Sequence, residues 1–504
     1  MASLREAIAR GARLDAMRPF PRIEVDASIW LRVTREISKG EGDLVALWSD
    51  GAAAHMMAWP HGDATPCVLS IACLEARFPS VGHLHPPAQR LERAIHDIYG
   101  LTPSGAADDR PWLDHGVWGV LHPGGNAQPA PADPAPYRFL AAEGEPLHQI
   151  AVGPIHAGII EPGHFRFSAN GETVVRLEQR FGYAHKGVET LMRGADVDRA
   201  LRLAGRVSGD STVAYAWAAS GALEAALDIV PPPRATALRA VMAEIERIAN
   251  HLGDIGAVCN DAAFSLMLAH CGVLRERVLR AAKAAFGHRL MMDCLAPGGL
   301  ARDMTPGGAR AIEDALLAID ASLPGLLRVY DSTASLQDRT VGTGKTDAAL
   351  VAQFACGGFV GRAAGRGFDA RRALRYAPYG DLDFDVPVRQ EGDVDARVRL
   401  RFDEIGQSMA IVRRLLVKLP AGPIRAEWPT DAGACEGVAM IEGFRGDIVA
   451  CVRLDAAGRI AHCHLRDPSW FQWPLLEAAI EGNIVADFPL CNKSFNCAYS
   501  GHDL

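Results

Sequence analysis

The segment GRVSGDSTVAY, residues 205–215, joins a glycine- and serine-rich turn to the apolar start of a helix. Glycine and serine in this density favour a turn, and the apolar residues that follow indicate a helix. The polar positions follow the pattern R-x-S-G-x-S-x-x-x-Y and comprise Arg206, Ser208, Asp210, Ser211 and Tyr215. Polar side chains at the end of a helix often line a cavity, so this segment is the first candidate for a functional site.

The bulk composition is that of a globular protein. The chain has 504 residues, of which 49% are hydrophobic and 22% are charged. This length and composition predict about two to four domains with substantial cores. The net charge is −8, from 52 basic and 60 acidic residues. Nucleic acid is therefore not expected as the main partner, because phosphate binding requires a basic face.

Targeting features and cysteine usage point to the cytoplasm. No run of about 18 apolar residues is present, so we predict no membrane-spanning helix. The N-terminus MASLREAIARGARLDAM lacks the apolar core of a secretory signal. The 11 cysteines are odd in number and none forms a C-x-x-C pair. That pattern favours reduced thiols over disulfides or a zinc site, in a chain that could still dock on a membrane partner.

The chain divides into two units. Residues 1–121 begin with two strand-like runs, IEVDASIWLRVTREI and DLVALWSDGAAAHMMAWP, followed by the helical pattern LERAIHDIYGL. Residues 122–149 are rich in proline and alanine, which predicts an extended linker. Residues 150–504 form the second unit. The predicted class is α+β.

Three elements of the second unit have clear signatures. Alternating residues around Asn170-Gly171 predict a hairpin with a type I′ turn. Apolar residues three and four apart predict two long helices, one after the proline run at 231–233 and one near 397–419. The first seam comprises Leu238, Val241, Ile245, Ile248, Leu252 and Ile255. The second comprises Phe402, Ile405, Met409, Val412, Leu416 and Leu419, before Pro420.

The first long helix also carries a polar stripe. Its members are Glu244, Arg247, His251 and Asp254. Spacings of three and four residues allow ion pairs along a helix surface, so we expect a solvated face.

Other polar motifs favour ordinary structural roles. Gly342-Thr-Gly-Lys345-Thr346 lacks the earlier glycine of a phosphate-binding loop, because position 339 is arginine. His462-Cys463-His464 has no further ligand at matching spacing and predicts a half-exposed strand. Cys491 and Cys497 are too far apart in sequence for a C-x-x-C clamp and are expected to be buried single thiols.

A set of polar residues at turns forms the candidate site. It comprises His156, His185, Glu189, Arg206, Asp210 and Tyr215. These side chains either converge on one cavity or lie separately on the surface, and spacing alone leaves both open.

Several motifs, in order, resemble a known superfamily. GPIHAGIIEPGHFRF, GYAHKGVETLM, LAGRVSGDSTVAYAWA, MAEIERIANHLGDIGAVCND and EGFRGDIVACVRL are similar to the 49 kDa subunit of respiratory complex I. They are equally similar to the large subunits of group 4 membrane-bound [NiFe] hydrogenases. The first unit resembles the complex I 30 kDa subunit, and fusion of the two is typical of formate hydrogenlyase and related large subunits. The resemblance implies a small α/β domain linked to a mainly helical bundle with flanking strands.

The same resemblance shows which metal ligands are missing. The hydrogenase motif needs cysteine at 208 and 211 and histidine at 215, where this chain has serine, serine and tyrosine. The C-terminal D-P-C-x-x-C motif aligns with Phe488–Lys493, which puts Leu490 and Lys493 at the thiol positions. Serine hydroxyls bind nickel and iron poorly, so no Ni–Fe centre and no metal are expected. Ser208, Ser211, Tyr215 and His185 would instead line a vacated cofactor pocket.

The resemblance also implies residue roles. His156 matches the histidine that faces the quinone headgroup in complex I relatives. Glu189 matches the proton-transfer glutamate of hydrogenases, and a dry cleft would raise its pKa. With Arg206 and Asp210, these residues form the predicted catalytic set.

The implied function is that of a large subunit in a membrane-bound, ion-translocating oxidoreductase complex. It would pass electrons from a small Fe–S subunit, docked beside residues 205–215, to an acceptor for which quinone is a candidate. Antiporter-like membrane subunits would complete the complex at the cytoplasmic side of the inner membrane. The alternatives are a genuine hydrogenase or formate hydrogenlyase large subunit, and a catalytically silent assembly scaffold. Direct NAD binding is not expected, because the chain has no glycine-rich nucleotide turn.

Overall fold

The structure is a computed structural model that describes residues 3–15, 17–133, 135–144, 146–157, 160–429 and 433–504. Parts of three predicted segments therefore lie outside the described residues. They are Met1, Ala2 and Ala16 of the N-terminus, Pro134 and Glu145 of the linker, and Gly158 and Ile159 after the candidate His156.

The N-terminal part is a five-stranded sheet covered by helices. Its elements are α1 (Leu4–Ile8), β1 (Ala12–Leu14), β2 (Met17–Arg18), β3 (Arg22–Glu24), α2 (Ala27–Ser38), β4 (Gly42–Ser49), β5 (Ala53–Pro60), β6 (Cys67–Ala72), β7 (Arg77–Pro79), α3 (Gln89–Tyr99) and β8 (Thr102–Ser104). The strand order is β1-β3-β6-β5-β4, with β3 and β6 parallel. Strand β2 joins a different sheet, near the C-terminus.

The first predicted run is partly wrong, because its second half is helix α2. Asp26 caps the helix by accepting a hydrogen bond from the Ile29 N–H at 2.8 Å. Trp30, Val33 and Ile37 are then buried together at spacings of three and four residues. A buried face with this period fits a helix and would be split across both faces of a strand. The predicted strands at 43–60 and the helix at 91–101 are confirmed as β4, β5 and α3.

The middle of the chain begins with short strands and an antiparallel meander. These are β9 (Val120–Leu121), β10 (Gln128–Pro129), β11 (Leu147–Val152), β12 (His164–Asn170) and β13 (Thr173–Arg180). The β12–β13 hairpin is confirmed, but its turn residues are Gly171 and Glu172. Of these two, only Gly171 has positive φ, at 57°. The type I′ prediction is therefore wrong, since that turn requires positive φ at both central positions.

A helical bundle carries the largest core. Its elements are α4 (Val188–Met192), α5 (Val197–Ala204), α6 (Thr212–Leu227), α7 (Pro233–Asp261), α8 (Ser265–Phe286), β14 (Leu295–Ala296), β15 (Gly299–Leu300), α9 (Gly308–Ser332), α10 (Ala334–Thr340), α11 (Ala348–Gln353), α12 (Gly358–Ala363), α13 (Ala370–Ala373) and α14 (Val394–Val417). Helices α7 and α14 are the two predicted long helices. Their apolar seams pack together, and α7 also packs on α8.

The C-terminal part adds a sheet and returns to the bundle. Its elements are β16 (Cys435–Glu442), β17 (Asp447–Leu454), β18 (Ile460–Arg466), α15 (Ser469–Ile480), α16 (Phe488–Phe495) and α17 (Tyr499–His502). The sheet order is β18-β17-β16-β2, and α6 packs across β16 and β17. This arrangement brings the turn before α6, the β16–β17 turn and the end of the chain to one place. The α+β prediction is confirmed.

Candidate functional site

The segment at 205–215 is a turn that leads into helix α6, as predicted. Residues Gly209–Ser211 form one 3₁₀ turn and Thr212 begins the helix. The first free N–H groups of α6, at Val213 and Ala214, donate to the carboxylate of Glu246 at 2.8 and 3.1 Å. Glu246 on helix α7 thus caps α6 in place of the N-cap residue Ser211, whose hydroxyl makes no capping hydrogen bond.

Asp210 is the centre of this turn. Its Oδ1 accepts hydrogen bonds from the hydroxyls of Ser208 at 2.6 Å and Ser211 at 3.1 Å. Arg445 binds both of its oxygens, with Nη1–Oδ1 at 2.8 Å and Nη2–Oδ2 at 2.7 Å. Burial alone would raise the pKa of Asp210, but the Arg445 charge and these hydrogen bonds outweigh it and lower the pKa to about 2.

Arg445 connects Asp210 to the end of the chain. It projects from the turn between β16 and β17, and its Nε donates to the backbone carbonyl of Asn496. Asn496 begins the C-terminal segment, defined here as residues 496–503. Arg445 was not singled out from the sequence, because no local pattern shows that it approaches Asp210 across 235 positions.

The C-terminal segment contacts three further candidate residues. The Tyr499 hydroxyl lies 3.3 Å from His156 Nε2. His185 Nδ1 lies 2.9 Å from the Asp503 carbonyl oxygen. Gly501 lies against Tyr215, whose buried hydroxyl donates to Asp467 Oδ2 at 2.5 Å. The segment therefore brings His156, His185 and Tyr215 towards one region, which the sequence left open.

Glu189 lies in a different environment from Asp210. His464 Nδ1 and the Leu465 N–H contact its Oε1 at 3.0 and 2.8 Å. Burial alone would raise the pKa of Glu189, but the His464 charge and these two hydrogen bonds lower it. The expected raised pKa is therefore wrong. A cavity of about 50 Å³ borders the Glu189–His464 pair, together with Tyr99 and Trp470.

The strand that holds His464 is buried rather than half-exposed. His462 is 3% exposed because the N-terminal part covers its side of β18, and Cys463, on the opposite side, is 1% exposed in the helical core. Tyr99 and the Ser49 carbonyl lie within 3.3 and 3.0 Å of His462 Nε2. Cys491 and Cys497 are buried thiols, as predicted.

Arg206 does not point towards Asp210. Its guanidinium forms two hydrogen bonds with Asp293 at 2.9 and 2.7 Å on the surface. Lys186 donates to the backbone carbonyls of Arg206 and Val207 from the same side. Arg206 therefore belongs to the outer face of the turn.

The polar stripe of α7 is a buried ionic cluster, so the predicted solvated face is wrong. Glu244, Arg247 and His251 are at most 1% exposed and Asp254 is 9% exposed. Helix α14 covers the stripe and supplies Glu404, whose Oε2 lies 2.7 Å from His251 Nε2. The remaining partners are Arg401, also on α14, and four residues from elsewhere in the chain, Arg362, Asp369, Arg371 and Glu442.

Comparison with known proteins agrees with this fold. Residues 261–434 match the family described as the 49 Kd subunit of respiratory-chain NADH dehydrogenase. Formate hydrogenlyase subunit 5 of Escherichia coli is 29% identical over 436 residues, covering 84% of this chain and 77% of that protein. The fused C/D polypeptide of the NADH-quinone oxidoreductase of Phocaeicola vulgatus is 26% identical over 393 residues, covering 73% of this chain and 76% of that protein. The chain is thus similar to members of the complex I 49 kDa and group 4 hydrogenase superfamily.

A solved structure shows a similar fold. A chain of the membrane-bound sulfane sulfur reductase, an archaeal respiratory membrane complex, is 25% identical with a TM-score of 0.67. The match covers 71% of the present chain and 98% of that chain. Among the described ranges of the present chain, none of the helices has an apolar stretch long enough to cross a membrane.

The structure corrects the position of the superfamily's second metal motif. The predicted thiol positions, Leu490 and Lys493, lie on α16, where Leu490 is buried in the helical core. The segment beside Tyr215 and Arg445 begins at Asn496 instead. The D-P-C-x-x-C frame fits Asn496–Gly501 and puts Ala498 and Gly501 at the thiol positions. The alignment on α16 is wrong because it matches the proline of the motif to Pro489. The register that places the motif beside the 205–215 turn is the one that starts at Asn496.

The residues at this place do not fit a Ni–Fe centre. The four thiol positions hold Ser208, Ser211, Ala498 and Gly501, none of which offers a soft thiolate. Both serine hydroxyls donate to Asp210, and the guanidinium of Arg445 brings a fixed positive charge. Arg445 binds both oxygens of Asp210, so this carboxylate is not free to bind a cation.

Proposed function

We propose that the chain is the large subunit, without a metal centre, of a membrane-bound, ion-translocating oxidoreductase complex. The proposal rests on the ion pair between Asp210 and Arg445. Ser208 and Ser211, which stand at the cysteine positions of the hydrogenase motif, both donate hydrogen bonds to Asp210. The named relatives are subunits of NADH-quinone oxidoreductase and formate hydrogenlyase. A chain with this fold and without thiolate ligands fits the chemistry of a quinone oxidoreductase better than that of a hydrogenlyase.

The outer face of the 205–215 turn would receive the electron donor. The Arg206–Asp293 pair is exposed there, and Lys186 lies beside it. A small Fe–S subunit seated on this face would deliver electrons close to Asp210. Antiporter-like membrane subunits would use the reaction to move ions, with the chain attached at the cytoplasmic side of the inner membrane.

The pair formed by His156 and Tyr499 is the proposed acceptor site. Reduction of a quinone to a hydroquinone takes two electrons and two protons. The phenol and the imidazole, 3.3 Å apart, are close enough to bind the same carbonyl oxygen of such a headgroup. Ile155 beside them is 85% exposed and offers an apolar surface at the entrance. The two electrons would come from the Fe–S partner, and the two protons would come from solvent.

Quinone reduction by the intact complex tests this site. We expect Tyr499→Phe and His156→Gln to lower turnover with decylubiquinone at least about tenfold, while a chemical reductant still reduces the Fe–S partner, as followed by EPR. The matched control is Tyr183→Phe, because the Tyr183 ring contacts the ring of His115, 4.3 Å away, rather than that of His156. Unchanged quinone turnover in both site variants would place the acceptor elsewhere.

A genuine hydrogenase is the second candidate, favoured by the similarity to formate hydrogenlyase subunit 5. Elemental analysis of the purified complex distinguishes the two, because one nickel per chain would refute a metal-free subunit. The scaffold alternative predicts that Glu189→Gln and His156→Ala leave ion-coupled activity unchanged.

A further inference from the structure

We infer that a cavity between the N-terminal part and the rest of the chain binds a neutral ring compound with a cyclic imide edge, the group shared by uracil-type pyrimidines and flavin rings. The cavity has a volume of about 360 Å³, within the usual range of small-molecule sites, whereas one water molecule occupies about 30 Å³. Its lining residues differ from those of the candidate site. The inference therefore goes beyond the proposed function and holds whichever acceptor the chain uses.

Gln179 brings an unpaired amide to the lining of this cavity. It lies on strand β13 and is 0% exposed. Neither its Oε1 nor its Nε2 has a hydrogen-bond partner among the described residues. Buried polar groups of folded proteins nearly always have a partner, because leaving them unpaired costs free energy. One donor and one acceptor are therefore available to a ligand.

Arg90 adds a second donor beside this amide. Its Nη1 has no partner within the part of the chain that the structure describes. Glu477 holds the two residues together, because its Oε1 accepts from Arg90 Nη2 at 2.6 Å and from the Gln179 backbone N–H at 2.8 Å. The Arg90 guanidinium also lies over Trp112, 4.6 Å from the ring centre. The donor is thus held in position before a ligand binds.

The charges of the lining favour a ligand without net charge. Four arginines, Arg90, Arg93, Arg110 and Arg176, line the cavity together with four carboxylates. Arg93 and Arg110 are both paired with Asp108, at 3.0 and 2.6 Å. The lining is therefore balanced in charge, and a phosphate or a carboxylate would lose its hydration without meeting an excess of positive charge.

A cyclic imide edge matches the groups that remain. It carries one N–H donor between two carbonyl acceptors, whereas the site offers two donors and one acceptor. Leu350, Phe354 and Pro474 supply apolar surface for the ring itself. A site that binds its ligand through buried hydrogen bonds rejects compounds without that edge, because the protein groups are then left unpaired.

Equilibrium dialysis of uridine and of riboflavin against the full-length chain, in whatever complex purifies with it, tests the inference. We expect one of the two compounds to bind, and its N3-methyl derivative to bind at least about tenfold more weakly because the imide nitrogen can no longer donate. Gln179→Leu should lower the affinity at least about tenfold. The melting temperature of the dialysed Gln179→Leu protein should be unchanged or higher, because the amide has no partner among the described residues to lose. Gln149→Leu is the matched control and should bind normally, since Gln149 is exposed on β11 of the same sheet.

A second variant keeps the inference falsifiable if Gln179→Leu does not fold. Gln179→Glu keeps the shape of the side chain but replaces the amide donor with a carboxylate oxygen, and should also weaken binding. Binding of uridine alone identifies a pyrimidine ligand, and binding of riboflavin alone identifies a flavin; either result supports the inference. Failure of both compounds to bind at about 1 mM, or equal affinity for the N3-methyl derivative, would overturn it. An experimental structure with the probe present in which Gln179 binds only ordered water would do the same.

Discussion

Gly501 lies directly against the hydroxyl of Tyr215. A Cβ atom at position 501 would stand 2.8 Å from Tyr215 Oη and 2.5 Å from Asp467 Oδ2, which the hydroxyl binds. The backbone of the C-terminal segment therefore reaches this hydrogen bond only because residue 501 has no side chain.

Gly501→Ala should destabilise the protein for this reason. Both contacts are shorter than van der Waals distance and both atoms are buried, so the cost should be about 1–3 kcal/mol. Urea unfolding measures it. Gly272→Ala is the control, because Gly272 lies in helix α8 with open space around its Cβ position. The control should be neutral or more stable by up to about 1 kcal/mol, and an equal loss in both variants would contradict the close contact.

The Asp210 carboxyl should give the protein an acid-sensitive step. Its pKa is lowered from 3.8 to about 2 in the folded state, so the folded protein binds fewer protons than the unfolded chain in this range. Its contribution is fully present above about pH 4 and is lost as the pH falls towards 2. The contribution is at most about 2 kcal/mol, and screening reduces it because the side chain is 32% exposed.

The measurement is the unfolding free energy of the natural protein and of Asp210→Asn between pH 2 and 6. The difference between the two should shrink as the pH falls. A difference that is constant over this range would show that Asp210 titrates normally.

The buried ionic cluster should respond far more strongly than a surface pair. Glu404 accepts a hydrogen bond from Arg362 Nε at 2.9 Å, its Oε2 lies 2.7 Å from His251 Nε2, and all three side chains are 0% exposed. Glu404→Gln removes the charge of one carboxylate from a fully buried network and leaves Arg362 with only Asp369 and Glu442 as ionic partners, at a cost of about 3–5 kcal/mol. The control is Asp314→Asn, since Asp314 is 65% exposed and 3.9 Å from Arg310. The control should change stability by less than about 0.5 kcal/mol. Similarly small effects in both variants would show that the polar stripe of α7 behaves as a solvated face.

Reintroduction of two thiols should not create a nickel site. In Ser208→Cys/Ser211→Cys the opposite thiol positions would still hold Ala498 and Gly501, and Arg445 would still supply a positive charge. We expect less than about one nickel per ten chains by mass spectrometry after growth with nickel, since two thiolates beside a cation form a poor site. Stoichiometric nickel in the double variant would contradict this prediction and show that two thiolates are enough for nickel binding at this place.

Local patterns predicted two of the four longest helices, α7 and α14, but not α8 or α9. Helices α7 and α14 have seams of alternating three and four residues, and this period is the one that a bundle core requires. Helix α2 was missed because its apolar residues are β-branched or aromatic and also suit a strand. The decisive signal was available in Asp26, a helix-capping residue three positions before Ile29.

The candidate site was harder to predict, because its bonds cross long stretches of sequence. The α7 stripe has the spacing of surface ion pairs, and nothing within the helix shows that α14 covers it with Glu404. Arg445 and Tyr499 reach their partners across 235 and 343 positions. The superfamily resemblance located the turn at 205–215, whereas the register of the chain end required the packing of Gly501 on Tyr215.

Strand β2 has a consequence for biosynthesis. Met17 and Arg18 pair in parallel with Glu436 and Gly437, so residues that leave the ribosome first complete the edge of a sheet that is made last. At about 5–20 residues per second, the roughly 420 intervening residues take about 20–80 s to translate. Throughout that interval the early strand has no partner. Expression of the two units from separate genes would turn this intramolecular pairing into a bimolecular encounter.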